Sequence, residues 1–556
     1  MARSMNRRLF LGQTAAMAAG AAMAGAGSDL LWTPGVAGAA GTNGPGRNGV
    51  SKAKPKRGGT VVMGTTTEEQ GFNTTTARFD SVGDMYARTV FDPLAVITAN
   101  GGWAPYLAQS IVPNHTYTSW TITLRPTVVF HDGTPCNANA LLANFEAQYN
   151  STLIGLVVKP IIATYKVTGP LSVQVNLKQA WIPFPFYLAG GTGGQAAYVM
   201  APSMISAKTG GTDNPVGTGP FKFTKWVPNT HFTAVRNPHY WRKGLPYLDS
   251  ITFKPIVDYS SRADALATGG INMMCTDVPQ NILAYRGNRQ YAYVDDSGPV
   301  PGQPTMDLFL LNVATAPFNT ATVRLAAAKA VTRQAYTTVI NRGVDPASSG
   351  LFVPGTPYYS KTSYPSYDPS GAKRLLARVQ ARTGKPVSFQ LGSTNSPAAE
   401  REATYVQAKW QAVGFKVSRT IVEQNELIDN ALSGTFQCYV WRQFGAVDPD
   451  LNYVFWSTTT INPKLSINMT RNHDPRIEAA LQVGRTKANP ATRAKAYKKV
   501  NEYFAQDLCY LFTDRATWAI VAHPTVQNFN NPTTPSGAKA YGMIGGSIWP
   551  TQIWRS

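Results

Sequence analysis

Residues 213–253, DNPVGTGPFKFTKWVPNTHFTAVRNPHYWRKGLPYLDSITF, decide how this chain is read. Two short runs of β-forming residues, Phe221–Trp226 and His231–Arg236, flank Pro228-Asn229, a spacing that predicts a hairpin. Gly217, Gly219 and Pro220 mark a tight turn leading into it. The rings of Tyr240, Trp241 and Tyr247 follow, punctuated by Pro238, Gly244 and Pro246. No titratable cluster and no metal-ligand spacing occurs in the stretch. It reads as a structural joint, not a reaction centre.

The joint sits in a chain of 556 residues, too long for one ordinary core, so two or three domains are expected. With 43% hydrophobic and 11% aromatic residues, global disorder is excluded. Lys and Arg number 51 against 30 Asp and Glu, a net charge of +21. An excess of that sign can mark a nucleic-acid or membrane partner. The basic residues are scattered, however, and the densest group, Lys52, Lys54, Lys56 and Arg57, falls in a Gly/Pro/Asn-rich linker. A basic solvated surface is the reading, with no nucleic-acid partner.

The first 39 residues read as an export signal and 40–57 as a flexible linker. Arg7-Arg8 precede the apolar Leu9-Phe10-Leu11 and a long Ala/Gly-rich run, the pattern of a twin-arginine leader. Ala37-Gly38-Ala39 is the expected cleavage site and Ala24-Gly25-Ala26 a weaker one. The run from Leu9 to Ala26 is too weakly apolar to favour a membrane anchor. No cysteine precedes Cys136, so no lipobox is expected and the mature protein would be periplasmic or extracellular. Cys136, Cys275, Cys438 and Cys509 share no C-x-x-C pattern; they form one or two disulfides, or are buried free thiols.

The quoted stretch resembles, nearly residue for residue, the segment "PVGTGPY … RNPxYW … PYLDxIxF" of the family 5 extracellular solute-binding proteins, the oligopeptide and dipeptide receptors of ABC importers. Further resemblances run from about Arg57 to about Phe529. Arg125–Thr134 is similar to "LRxGVKFHDGTP" and Asp258–Ile271 to "ASTRLAALQAGEVDI". Tyr367–Val379 is similar to "YDPxxAKxLLxEAG", with Asp368-Pro369 opening a helix. A first strand is expected at Val61–Met63, a short helix at Met85–Phe91 and half-buried strands at Tyr117–Leu124 and Leu171–Leu177. Helices are expected at Asn139–Tyr149, capped by Asn137 or Asn139, at Val323–Arg333, and at Ala398–Val413, stopped by Gly414. A strand is expected at Met306–Asn312, and a last helix after Asn489-Pro490, with Tyr497, Val500, Phe504 and Leu508 at helical spacing.

The resemblance implies an α/β, two-lobed periplasmic-binding-protein type II-like fold with an inserted subdomain and two chain crossings. Lobe I would comprise 58–94, 206–305 and 512–556, with 95–205 inserted, and lobe II 306–511. The crossings are expected near Gly298–Asp307 and Leu508–Arg515. The family closes its lobes on a ligand and hands it to a membrane permease complex; a monomer without cofactor or metal is implied.

Gln437–Asp450, QCYVWRQFGAVDPD, resembles the ligand-facing "GWxxDxxDPD" stretch. This implies Trp441, Arg442, Phe444 and Asp448 as ligand-binding residues, facing Ala77, Arg78, Phe79 and Tyr86. Core packing is the alternative for Tyr86 and Trp441. In relatives an aspartate three residues past the tryptophan pairs with the peptide ammonium; here Phe444 stands there. Arg78 and Arg442 would instead accept an anionic or neutral ligand. Ser370-Gly371-Ala372-Lys373 and Lys208-Thr209-Gly210 spell S-x-x-K and K-T-G, but in the wrong order for a serine acyl enzyme, and no catalytic residue is assigned. An exported amidase or penicillin-interacting enzyme, and a non-transport envelope or regulatory protein on the same scaffold, are the alternatives to a solute receptor.

Overall fold

The computed structural model describes residues 48–69, 71–77, 79–152, 154–190, 195–298 and 304–556. The leader expected over the first 39 residues lies outside the described residues, as does Arg78.

The quoted stretch forms the hairpin. Strands Phe221–Val227 and His231–Arg236 pair antiparallel, with Asn229 taking the left-handed turn at φ 58°. Strand Ser250–Pro255 continues the antiparallel run and lies parallel to Thr60–Thr65. The joint thereby closes one flank of a seven-stranded sheet whose other flank is built from Met273–Thr276, Ala519–Ala522 and Ala292–Asp295.

The two glycines before the hairpin let it press on a helix. Gly219 N–H donates to Val90 O at 2.8 Å, at the end of helix Ser81–Val90, and a Cβ on Gly219 would sit 2.4 Å from the Val90 carbonyl carbon. Just beyond, buried Asp92 accepts from Thr218 Oγ1 (2.9 Å), Tyr240 Oη (2.8 Å) and Trp241 Nε1 (2.8 Å). One carboxyl thus ties the turn before the hairpin to the rings after it. Burial pushes its pKa up to about 6, against the pull of these donors.

A four-stranded antiparallel sheet packs into the same core. Its strands Ser119–Leu124 and Ser172–Leu177 alternate half-buried and buried positions, as period-two apolar patterning requires. Helix Ala138–Asn150, capped by Asn137, lies against it.

The second large sheet has five strands in the order Lys416–Ile421, Ser388–Ser393, Cys438–Phe444, Thr305–Leu311, Tyr510–Ala516. Thr305–Leu311 is buried throughout because both faces are covered. Phe309 and Leu311 face a core shared with helices Ala321–Lys329, Pro369–Thr383 and Pro397–Val413. Met306, Leu308 and Leu310 face the other, with helices Pro475–Thr486 and Pro490–Asp507.

Three expectations need correction. The helix expected over Val323–Arg333 ends at Lys329, and a separate helix runs Arg333–Ile340, because β-branched Thr332 is extended and begins the new helix. Leu508 is left-handed (φ 55°) and ends the long helix instead of extending it. The chain leaves the seven-stranded sheet after Asp295 and joins the five-stranded one at Thr305, and it returns through Thr517–Trp518. The second passage lies beyond the expected Leu508–Arg515, because Tyr510–Ala516 stays paired with Thr305–Leu311 along its length; the 511/512 boundary would cut that strand. All four cysteines are buried and free of disulfides.

Candidate functional site

The end of the five-stranded sheet nearest the seven-stranded one carries the stretch that the sequence singles out. On Cys438–Phe444, Trp441 lies opposite Leu308, Arg442 opposite Asp307 and Phe444 opposite Thr305. Trp441 is half-buried against the core on one face, and its indole N–H is inaccessible to solvent and has no acceptor.

Arg442 joins the two sheets. It donates Nε to Asp307 Oδ1 (2.6 Å) and Nη2 to Asp307 Oδ2 (3.0 Å) on the neighbouring strand. Its Nη1 bonds Asp277, which follows strand Met273–Thr276 of the seven-stranded sheet. Burial would raise the Asp277 pKa, but the guanidinium overrides it and holds the carboxyl below its usual value. Arg442 is therefore paired on both sides, with Asp307 on its own sheet and Asp277 beside the other. Beside it the acids are crowded: burial, with Asp307 adding to it, pushes Asp345 up to about 7, and burial lifts Asp514 well above its usual value.

Asp448 is paired as well. Arg493 Nη2 donates to both its oxygens at 2.7 Å, and its Oδ1 accepts the Asp450 N–H at 3.0 Å, capping the short turn Pro449–Asn452. Asp450 in turn accepts from Arg485 Nε (3.0 Å) and from Trp181 Nε1 (2.6 Å), a residue in the core of the first sheets. Ile182 N–H donates to Arg485 O at 3.0 Å. The D-P-D turn is a buried strut between the two halves, with Asp448, expected as a ligand contact, paired to Arg493 within it.

Phe444 packs, with Val447 and Leu451, against the core of the first sheets, and Gly445 N–H donates to Pro304 O at 2.6 Å. Of the facing group, Tyr86 is enclosed beneath the hairpin, stacked on Phe232 (centroids 5.0 Å, planes 12° apart) and 4.6 Å from Phe253. Tyr86 is a core residue, not a cleft wall. Phe79 is buried in the same core, and Ala77 O accepts from Gln195 Nε2 at 2.6 Å. On one strand, Arg442 and Phe444 thus face one side of the sheet and Trp441 the other, while Tyr86 and Asp448 are enclosed by packing and pairing.

Sequence reasoning missed the residues at the two passages. A small open pocket is lined there by Asp296, Ser297, Thr305, Val353, Arg515 and Thr517, among others. Asp296 and Arg515 belong to plain strand-end sequence with no motif to single them out.

The serine-enzyme pieces stay apart. Ser370 is exposed in the first turn of Pro369–Thr383, on the five-stranded side, while Lys208-Thr209-Gly210 is a turn after helix Pro202–Ser206 in the other core.

Residues 102–463 match the family described as bacterial extracellular solute-binding proteins, family 5 Middle. The nickel-binding periplasmic protein of Escherichia coli is 30% identical over 383 residues, 65% of this chain and 71% of that protein. The glutathione-binding protein GsiB of Salmonella paratyphi A is 26% identical, over 76% of this chain and 82% of the relative. Among solved structures, the Helicobacter pylori periplasmic binding protein DppA in complex with the peptide STSA superposes with a TM-score of 0.77 at 20% identity, covering 90% of this chain and 98% of that one. NikA from Brucella suis, in complex with Fe(III)-EDTA, gives 0.74 at 22% identity, covering 90% and 100%. The chain belongs to the family 5 bacterial extracellular solute-binding proteins, two-lobed α/β receptors for ABC importers that bind and do not transform their ligands.

Proposed function

We propose that this chain is exported by the twin-arginine route, acts as a monomer, and captures a peptide or peptide-like compound between two lobes for delivery to an ABC permease. Lobe I would hold 58–94, 206–305 and the chain after Thr517–Trp518, with 95–205 inserted; lobe II would run from 306 to Ala516. Trp441 is the cleft wall in this reading.

One observation carries it. At the seam the indole N–H groups of Trp441 and Trp518 and the Thr305 hydroxyl are buried and lack hydrogen-bond partners. A buried polar group without a partner costs about 1–3 kcal/mol, so each of these three calls for an acceptor. All three can donate, and the main-chain carbonyls of an extended peptide are acceptors of matching chemistry. The peptide and glutathione ligands in the names of similar proteins agree with this.

Isothermal titration of the mature protein against dipeptides, tripeptides, glutathione, sugars and metal chelates tests it. The expected result is micromolar or tighter binding of peptides, weakened about tenfold or more in Trp441→Ala. Binding confined to sugars or chelates would refute the peptide assignment.

A further inference from the structure

The end of the five-stranded sheet gathers more carboxyl groups than cations. Asp307 lies opposite Arg442 on one neighbouring strand and opposite Asp514 on the other. Asp345, in the segment after helix Arg333–Ile340, accepts the Thr517 N–H at 2.9 Å. Glu402, on helix Pro397–Val413, faces Asp307 and Tyr336. Asp307, Asp345 and Asp514 are each more than nine-tenths buried. Arg442 pairs with Asp307 and Asp277, whereas Asp345, Asp514 and Glu402 form no ion pair among the described residues.

The hydrogen bonds at Asp514 call for a proton. Thr513 Oγ1 lies 2.7 Å from Asp514 Oδ1 and 2.7 Å from the Asp307 carbonyl oxygen. Both are acceptors when Asp514 is ionised, and a hydroxyl has one hydrogen to give. With Thr513 donating to the carbonyl, Asp514 Oδ1 completes the contact by carrying a hydrogen itself; Asn341 Nδ2 donates to its other oxygen. Burial, with Asp307 adding to it, lifts Asp514 well above its usual value and Glu402 to about 8. The other charges close by are Arg401 beside Glu402, Arg515 and Asp296 beside Asp345, and Arg262 beside Asp277.

Arg442 is the counter-charge that these acids share with the seven-stranded sheet. While Asp277 holds its Nη1, part of the guanidinium's field is cancelled, and the carboxyls around Asp307 keep their protons more firmly. Moving Asp277 away leaves all of Arg442 to Asp307 and its neighbours and favours their ionised forms. An arrangement with the lobes closed therefore binds more protons than an open one.

We propose that this acid cluster makes lobe closure proton-linked: closing on a ligand takes up about one proton among Asp307, Asp345, Asp514 and Glu402, and the ligand is let go as pH rises past neutrality. The proposal rests on the receptor reading and deepens it by naming a regulator of closure. Asp345 and Glu402, at about 7 and about 8, set the window. Both are raised in the closed arrangement, so affinity is full below that range and is lost as pH rises through it.

The test is small-angle X-ray scattering of the full mature chain, titrated with a mixed short-peptide pool at about pH 6 and about pH 8.5. Half-maximal compaction is expected to need about tenfold more peptide at the higher pH. Asp514→Asn keeps the protonated shape at every pH, its amide N–H replacing the hydrogen given to Thr513, and Glu402→Gln does the same at a half-buried position. Each should lower the ratio between the two pH values, and the double variant should compact at about pH 8.5 with nearly the peptide that wild type needs at about pH 6. All chains meet the same pool, so ionisation of the peptide termini cancels in the comparison; folding is checked by the thermal transition of each variant. Equal half-points at both pH values in wild type, or variants that keep the wild-type ratio, overturn the proposal and leave the receptor reading standing. A profile that the pool leaves unchanged at both pH values overturns both.

Discussion

The Arg442–Asp277 contact gives the most direct handle on how the halves are held together. Asp277→Asn keeps the shape of the side chain and removes the charge that Arg442 reaches across the seam to meet. The side chains are 30% and 20% exposed, so the loss lies between that of a surface pair and that of a fully buried one. About 1–2 kcal/mol follows, since Arg442 keeps its two bonds to Asp307. If the contact belongs to the closed arrangement, that energy comes out of ligand affinity: a 5- to 30-fold weaker Kd, with the thermal transition of the free protein shifted by no more than a few degrees. Titration of wild type, Asp277→Asn, Arg442→Gln and the double variant with one tight ligand isolates the coupling. An unchanged Kd in Asp277→Asn, or additive effects in the double variant, would refute the reasoning.

Other consequences follow from the packing. Asp450→Ala leaves the buried Arg485 without its carboxylate and Trp181 without its acceptor, and should cost about 3–5 kcal/mol in denaturant unfolding; a loss under about 1 kcal/mol contradicts the strut. Gly219→Ala drives a methyl into the Val90 backbone and should lower stability by about 1–3 kcal/mol, whereas Gly244→Ala, left-handed but unobstructed, should show backbone strain alone, about 1 kcal/mol. Asp296 and Asp345 have folded pKa values of about 8 and about 7, above their unfolded value near 3.8. The folded state therefore binds more protons than the unfolded one across this range, and this part of stability is lost as pH rises through 7 and 8. Unfolding free energy should increase by about 1–3 kcal/mol from pH 8.5 to pH 6, and Asp296→Asn should flatten that slope.

Much of the architecture was legible because it is written in neighbouring residues. Pro228-Asn229 between two β-runs, Asp368-Pro369 before a helix and Gly414 after one all act over a few positions, and each forms what its chemistry dictates. The break at Thr332 was missed because the apolar periodicity runs on through it while the backbone does not. The second passage was misplaced because Leu508–Arg515 carries no punctuation, and its end is set by pairing to a strand two hundred positions earlier. The site was harder still. Nothing local to Arg442 announces Asp277, nothing local to Asp448 announces Arg493, and Arg515 and Asp296 become neighbours only when both passages lie side by side. Trp441 was found through resemblance, and its unpartnered N–H could be seen only in three dimensions.

The central claim is that two lobes clamp a small peptide-like molecule and release it unchanged. Small-angle X-ray scattering of the mature protein, stripped of ligand by unfolding and refolding and then titrated with a mixed short-peptide pool, tests it most directly. The account predicts a radius of gyration that falls as peptide saturates the protein and rises again when the peptide is removed intact. Superimposable profiles at every peptide concentration would contradict it.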